Sequence, residues 1–201
     1  QRPGFPETHT LLNESWTQYL KGMEEVLSHQ AYLLGDCFTI ADASAYGQLA
    51  MNLVDPEAAA KMKHIAPLTF TWLNRIYQGK HLIDAENLHN KDEKRLYISK
   101  HLIPLLGTIM STFSTLMVHN ERAYIQAKQS GETLFNEAAF NQNRALYDGQ
   151  LRGYPYRTVV KTFQVRTWRA LCEQWSALPP ADQAEIRNKM GLCELFGPVK
   201  K

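Results

Sequence analysis

Few residues in this 201-residue sequence have the type and spacing that catalysis or metal binding requires. Cys37, Cys172 and Cys193 lie far apart and form no C-x-x-C pair, which argues against a disulfide framework and against a zinc ribbon. None of the seven histidines stands four residues from another, so no H-x-x-x-H pair predicts a metal site. Glycine-rich phosphate loops and a Ser-His-Asp order are also missing. The sequence therefore predicts no catalytic residue and no metal ligand in this chain.

Two of the cysteines have local contexts that indicate ordinary thiols. Asp36 stands beside Cys37, and a neighbouring carboxylate disfavours the thiolate that a nucleophile requires. Cys172 falls among the apolar positions of a tryptophan-containing helix, where a free cysteine behaves as a small core residue. Unpaired cysteines are typical of a reducing compartment, so we expect a cytoplasmic protein.

Arg157 is a candidate for anion binding, because a guanidinium can hold a carboxylate through two parallel hydrogen bonds. It follows a Tyr-Pro-Tyr step. One possible partner is an anionic group of a ligand, and the other is a nearby Asp or Glu of the chain. The sequence leaves both interpretations open.

The stretch before position 40 has the pattern of a helix start. Thr39 can act as the N-cap, and Asp42, three residues later, can accept a hydrogen bond from the Thr39 backbone N–H. Gly35 allows the unusual backbone angle that ends the preceding segment. We therefore assign Thr39 and Asp42 to a structural N-capping box rather than to catalysis.

Apolar residues at spacings of three and four predict the helices that position these side chains. The first helices are residues 7–30, 39–53, a short piece from Asp55, and a helix from Pro67 that stops near Gly79. The buried face of the first is expected to hold Leu12, Trp16, Tyr19, Leu20, Met23, Val26 and Leu27, and that of the Pro67 helix to hold Leu68, Trp72, Leu73 and Ile76.

Three further helices are predicted in the second half of the chain. Residues 93–128 carry Leu96, Leu102, Leu106, Ile109, Met110, Phe113, Leu116 and Met117. Residues 159–178 carry Val160, Phe163 or Gln164, Thr167, Trp168, Leu171, Trp175 and Leu178. A short last helix, 180–190, begins at Pro180 and is capped by Gly191, before an apolar tail at 192–196.

The remaining segments are less regular. Residues 1–6 have the composition of an extended linker, and residues 80–92 are predicted to be a loop. Pro104 either kinks the 93–128 helix or begins its main part, and we favour a kink. Residues 145–158 predict a β-hairpin whose turn is either Asp148-Gly149, the stronger turn dipeptide, or Arg152-Gly153, which leaves better flanking strands.

The composition excludes several functional classes. The net charge is +2 and the basic residues are scattered, so the sequence predicts neither nucleic-acid nor membrane-surface binding. No apolar run approaches the roughly 18 residues of a membrane span, and the N-terminus lacks the order of a signal peptide. The length suits one well-packed domain with an appended part. Because the chain begins with Gln1 rather than Met, we expect the functional protein to be longer.

Residues 7–79 resemble the all-helical C-terminal domain of cytosolic glutathione transferases. The resemblance rests on the Leu33-Leu34-Gly35-Asp36 stretch, on the Thr39-Ile-Ala-Asp42 box and on the Tyr46-Gly47-Gln48-Leu49 that follows it. A long helix before the box and a proline-started helix with a buried Trp72 after it match the same family, and Asp55-Pro56 resembles a bacterial branch. The resemblance implies an all-α helical bundle.

Residues 80–201 resemble the extended tail of some bacterial members of this family, through Gly153-Tyr154-Pro155-Tyr156-Arg157 and Phe163-Gln164. We therefore expect a core at 1–79 and an extended helical tail at 80–201, with the hairpin near 145–158, packed on the same domain. The β-α-β pattern of the thioredoxin-like N-terminal domain is missing from this sequence. In the family that domain binds glutathione and carries the catalytic Tyr, Ser or Cys.

The resemblance implies that the intact protein and this chain alone differ in activity. The intact protein would be a homodimer that joins glutathione, as co-substrate, to a small electrophile, while this chain alone would bind no cofactor and be inactive. Trp16, Tyr19 and Tyr46 are the residues that the resemblance places near a hydrophobic substrate, although their helical spacing suits core packing equally well. The alternatives are a non-enzymatic protein-protein interaction module and a small-molecule-binding helical protein with a closed apolar pocket.

Overall fold

A computed structural model describes residues 7–82 and 96–190. It is 69% helix and 9% strand, with one two-stranded antiparallel hairpin among the described residues, which confirms the all-α class. The chain divides into two compact units, Trp16–Thr108 and Gln1–Ser15 with Ile109–Lys201. We call them the central and the terminal unit after their place in the sequence. The boundary predicted between residues 79 and 80 lies inside the central unit.

The helices and strands have the following bounds. In the first half of the chain they are α1 Glu7–Leu27, α2 Ile40–Leu49 with a 3-10 turn at Ala50–Val54, α3 Pro56–Ile65 and α4 Pro67–Tyr77. In the second half they are α5 Ile103–Ile109, a π-helical turn at Met110–Ser114, α6 Thr115–Gln129, α7 Glu137–Asn141, β1 Leu146–Leu151, β2 Tyr154–Val159, α8 Thr162–Ala177 and α9 Pro180–Met190. The predicted linker at 1–6 and the tail from Gly191 lie outside the described residues, as does most of the loop predicted at 80–92; residues 80–82 are helical.

Helix α1 follows its predicted pattern over its C-terminal two thirds. Leu20, Met23 and Val26 are completely buried. The prediction is wrong for Leu12, which is 59% exposed, because the first turns bury Leu11 instead. These turns belong to the terminal unit and pack with other residues than the rest of the helix does.

Helices α3 and α4 begin where their prolines predict. The Asp55 side chain caps α3 by accepting hydrogen bonds from the backbone N–H groups of Glu57 and Ala58, at 2.9 and 3.3 Å. Helix α4 has only Ala66 at its N-cap, so it has no capping side chain of its own.

The cap of α4 comes from α1. The Glu24 carboxylate accepts hydrogen bonds from the N–H groups of Leu68 and Thr69, at 2.9 and 3.0 Å, and from the Thr69 hydroxyl at 3.2 Å. Thr69 is completely buried as a result, and Leu68, which was expected to be buried, is 44% exposed. Trp72, Leu73 and Ile76 are buried as predicted.

The long helix predicted over 93–128 begins later than predicted: residues 96–102 are not helical, and helical turns run from 103 to 129. Pro104 is the second residue of α5 and begins this helix rather than kinking it, because a proline in the first turn removes no helical hydrogen bond. A π-helical turn then separates α5 from α6. Leu96 and Phe113, both expected on the buried face, are exposed, whereas Leu102, Met110 and Met117 are buried.

The hairpin uses the Arg152-Gly153 turn. Both residues have positive φ, 52° and 86°, as the two-residue turn of a right-handed twisted hairpin requires. Gly149 instead lies inside β1, opposite Tyr156. A Cβ there would lie 2.5 Å from the Tyr156 ring, so close strand-to-ring contact explains this glycine better than a turn does.

Helix α8 starts later than predicted, at Thr162. Its buried face is therefore set by Val165, Trp168, Cys172 and Trp175, while Phe163, Thr167 and Leu171 are exposed. Trp168 and Cys172 pack with Met117 of α6, which confirms Cys172 as a small core residue. Within the terminal unit, the buried Asn120 side chain also exchanges two hydrogen bonds with the Lys161 backbone, at 2.8 and 2.9 Å.

Candidate functional site

A pocket in the central unit lies between the C-terminal end of α1 and helix α4. Its volume is about 220 Å³. Helix α4 forms one wall through one of its faces, on which lining residues lie three and four positions apart. The other wall is formed by the C-terminal end of α1 and by the residues that follow it. The lining consists of Leu27, Gln30, Ala31, Tyr32, Leu68, Thr71, Trp72, Arg75, Ile76 and His81.

Two polar atoms in this lining are buried without a hydrogen-bond partner among the described residues, Trp72 Nε1 and His81 Nδ1. The Trp72 side chain is 5% exposed, and an indole N–H can only donate. The Phe38 ring packs on His81 with 4.6 Å between ring centroids, which fixes the imidazole. Because buried polar groups are normally paired, water or the polar atoms of a ligand in the pocket would supply the partners of these two atoms.

The polar part of this lining includes an arginine and a glutamine. Arg75 is an exposed residue of the lining, one turn after Trp72 on α4. Gln30 is already engaged, since its side-chain amide donates to the carbonyls of Tyr32 and Leu33 at 2.7 and 2.9 Å. An apolar body with an acceptor or anionic end fits this set of groups.

The aromatic residues proposed from the sequence are not in this lining. Trp16, Tyr19 and Tyr46 are each half-buried. The Lys61 ammonium lies 5.2 Å from the centre of the Trp16 ring, a cation–π contact between α1 and α3. Burial raises the pKa of Tyr19 above its ordinary value, so its phenol is a weak acid.

Thr39 and Asp42 lie at the start of α2. Asp42 is completely buried, and its carboxylate accepts hydrogen bonds from the Thr39 backbone N–H and hydroxyl at 2.9 and 2.7 Å. The same carboxylate accepts a third hydrogen bond, 2.8 Å long, from the backbone N–H of Leu33. Gly35, at φ 111°, turns the chain between these donors. Asp42 therefore connects the loop before α2 to the helix, and both of its oxygens accept hydrogen bonds.

Arg157 pairs with a residue of its own hairpin. Its Nε and its terminal amino nitrogen donate to the two oxygens of Asp148, at 2.6 and 2.8 Å, across the strands. The hydrogen bond from Arg157 holds the pKa of Asp148 below its ordinary value. The same pairing raises the pKa of Arg157.

A wider groove of about 540 Å³ runs in the terminal unit between α6 and the hairpin. His119 Nδ1 lies 2.8 Å from the Tyr156 hydroxyl, and the Tyr147 ring meets Tyr156 edge to face. Burial, and then the neighbouring Tyr156, raise the pKa of Tyr147 well above its ordinary value. The phenols therefore stay protonated near neutral pH, so this groove provides hydrogen bonds rather than a nucleophile. Its lining is His119, Arg122, Ala123, Gln126, Tyr147, Asp148, Gly149, Gln150 and Pro155.

The structure also brings together Glu25, His29 and His101, although the sequence has no H-x-x-x-H pair that would predict such a cluster. One ligand atom from each side chain lies within 4.8 Å of the others. The local signal is the Glu25-x-x-x-His29 spacing at the end of α1. The third member comes from 72 residues further along the chain, where no local pattern connects it to the first two.

Cys37 and Cys172 are free cysteines, and Cys193 lies outside the described residues. Cys37 is a half-buried free thiol in the loop before α2. Burial raises the pKa of the Cys172 thiol, which keeps it unreactive.

Comparisons with protein-family models, with curated proteins and with solved structures found no match. Among the described residues no helix is both long and apolar enough to cross a membrane.

Proposed function

We propose that this chain is the C-terminal, helical domain of a glutathione-transferase-like protein and contributes the scaffold and the electrophile side of its reaction. The proposal rests on the resemblance of residues 7–79. It is supported by one observation above others: Asp42 joins the Leu33–Gly35 loop, Thr39 and α2 through three hydrogen bonds. These hydrogen bonds connect the part of the segment, residues 33–42, that carries the capping box of the resemblance.

In the intact protein, a thioredoxin-like domain would bind glutathione and stabilise its thiolate. The thiolate sulfur would then form a bond to an electrophilic carbon, either adding to it or displacing a leaving group. The part of this chain is to provide apolar and aromatic walls for the electrophile, a role that requires no reactive side chain. A homodimer is part of the same proposal.

Transferase turnover tests this proposal. We expect residues 1–201 alone to show no conjugation of glutathione to 1-chloro-2,4-dinitrobenzene, and the product of the complete reading frame to show it. Turnover by residues 1–201 alone would contradict the dependence on a second domain. A complete reading frame without a thioredoxin-like segment would contradict the family assignment itself and would favour an interaction module.

A second function, small-molecule binding by the helical chain itself, is favoured by the unpaired Trp72 Nε1 and His81 Nδ1 in the α1–α4 pocket. A small aromatic molecule with a hydrogen-bond acceptor, for which benzoate is a probe, fits an apolar pocket with a buried N–H donor in its lining.

Benzoate binding, followed through the indole N–H resonances, tests the second function. We expect the Trp72 resonance to shift and Trp72→Phe to weaken binding about tenfold, because the ring stays while the donor is lost. Trp16→Phe is the matched control and should bind as the unchanged protein does. Equal binding by Trp72→Phe, or no shift of the Trp72 resonance, would rule the pocket out as this site.

A further inference from the structure

The geometry points to a binding site for a first-row divalent cation, of which Zn²⁺ is the natural probe, formed by Glu25, His29 and His101 in the central unit. The site is independent of the transferase proposal and of the α1–α4 pocket. It joins the C-terminal end of α1 to the segment just before α5.

The three side chains already converge. His101 Nδ1 lies 2.8 Å from Glu25 Oε1, and His29 Nδ1 lies 3.7 Å from the same oxygen. The two imidazoles stack with 3.5 Å between centroids and 11° between planes. Neutral imidazole is the form that binds a metal.

The ligand atoms lie close together, but the stacked rings have to turn apart before both lone pairs point at one ion. Ligand atoms of a tetrahedral zinc site lie about 3.3 Å apart, given metal–ligand distances of about 2.0–2.1 Å. The three atoms here lie within 4.8 Å of one another. Glu25 and His29 are about half exposed, at 48% and 46% of their side-chain surface, so their side chains have room to close this difference.

The chemistry of the donor set selects the class of ion. Two imidazole nitrogens and one carboxylate oxygen suit Zn²⁺ and its neighbours in the first row, whereas Mg²⁺ and Ca²⁺ prefer oxygen ligands alone. Three protein ligands leave a fourth position for water. The site therefore binds a metal that remains open to solvent.

One ring is already oriented by its surroundings. His29 Nδ1 lies 3.0 Å from the Glu25 carbonyl oxygen and 2.8 Å from the Ser28 hydroxyl. Because a ring nitrogen binds a metal only through a free lone pair, His29 Nδ1 has to give up these two contacts when it binds the ion. Lys100 opposes binding, because its positive charge acts on the same Glu25 carboxylate that would hold the cation.

Isothermal titration with ZnCl₂ tests the site in the full 201-residue chain. We expect one Zn²⁺ per chain with a dissociation constant in the micromolar range. His29→Ala, His101→Ala and Glu25→Gln should each weaken binding at least about tenfold, because each removes one of three ligands. Lys100→Ala should tighten binding about threefold by removing a repelling charge.

His64→Ala is the matched control. His64 is an exposed histidine of α3 outside the cluster, so this variant should bind Zn²⁺ as the unchanged protein does. A Co²⁺ spectrum separates the site from the cysteines, since thiolate ligands would add a charge-transfer band that a site of nitrogen and oxygen ligands lacks.

Three outcomes would overturn the proposal. The first is that the unchanged protein does not bind Zn²⁺. The second is that the His29→Ala/His101→Ala double variant binds Zn²⁺ undiminished while its circular dichroism is native. The third is a thiolate band in the Co²⁺ spectrum that disappears in a Cys37→Ser variant. Because the altered side chains are partly exposed, we expect all variants to fold.

Discussion

At the scale of single residues, the Asp42 carboxylate connects the loop before α2 to the helix. It is completely buried and accepts hydrogen bonds from Leu33 and, twice, from Thr39. Removing it leaves buried N–H groups without partners, which costs more than the loss of an exposed helix cap.

We therefore expect Asp42→Ala to lower the free energy of unfolding by about 2–4 kcal/mol, measured by urea denaturation. Asp36→Ala is the control, because Asp36 is exposed in the same loop; its effect should stay within about 0.5 kcal/mol. If both variants unfold at the same urea concentration as the unchanged protein, the structural role of Asp42 is wrong.

The Asp148–Arg157 pair gives a pH-dependent prediction. Because the pKa of Asp148 is lower in the folded chain than in the unfolded one, the pair stabilises the fold above the unfolded pKa, and this contribution is lost as the pH falls through the folded pKa. We expect Arg157→Gln to raise the pKa of Asp148 towards its ordinary value in an NMR titration of the carboxyl carbon. Arg166→Gln, on α8, should leave it unchanged; an Asp148 midpoint that does not move in Arg157→Gln would contradict the pairing.

The sequence predicted that Asp42 and Arg157 make hydrogen bonds, but it predicted their hydrogen-bond partners only in part. Local spacing predicts the Thr39–Asp42 contact because the two residues share one helical turn. The Leu33 N–H reaches the same carboxylate through a loop conformation that spacing does not encode. For Arg157, the sequence supplied an acidic partner as one alternative, and strand pairing places Asp148 directly opposite.

At the scale of helices, replacing two different glycines by alanine is expected to change the free energy of unfolding in opposite directions. Gly47 lies exposed inside α2, and a Cβ there would meet nothing within 4 Å. Gly22 lies buried inside α1, where a Cβ would lie 3.1 Å from the Leu105 Cα and Cβ. Helix propensity favours alanine at both positions, but at Gly22 the neighbouring backbone has to move.

We expect Gly47→Ala to raise the free energy of unfolding by about 0.5–1 kcal/mol and Gly22→Ala to lower it by about 1–3 kcal/mol, both measured by urea denaturation. The pair is its own control, since the chemical change is identical. A stabilised Gly22→Ala variant would mean that α1 and α5 do not pack as closely as the structure has them.

Helix starts were predicted better than helix faces. Asp55-Pro56 and Pro67 carry their own signals, so α3 and α4 begin where the sequence predicts. The predicted buried face of residues 159–178 was right for Val160, Trp168 and Trp175 and wrong for Thr167 and Leu171, which are exposed. The Pro104 kink was wrong because a proline in a helical pattern has two explanations, and the choice depends on whether the residues before it are helical.

At the scale of the whole molecule, charge gives a further prediction. The net charge is +2, and the arginines of several ion pairs are already partnered: Arg144 with Glu132, Arg157 with Asp148, and Arg169 with Glu121. Phosphate binding needs clustered and available cations. We expect no shift of a DNA duplex at about 10 µM protein and 0.15 M salt in a gel assay. Micromolar binding that weakens steeply with salt would contradict this.

The all-α class with a small hairpin was predictable from periodicity and one glycine turn, because both are local properties. The pocket and the Glu25–His29–His101 cluster were not. Each combines side chains that are distant in sequence, and one sequence gives no measure of which distant residues meet.

The Glu24 cap also has a consequence for the order of folding. The first turn of α4 receives its acceptor from a residue 44 positions earlier, so the two helices have to dock before that turn gains its hydrogen bonds. Helix α4 is therefore expected to form late, together with its docking on α1, and not as an independent nucleus. Glu24 would then stabilise the native state more than the transition state, so that losing it accelerates unfolding more than it slows folding.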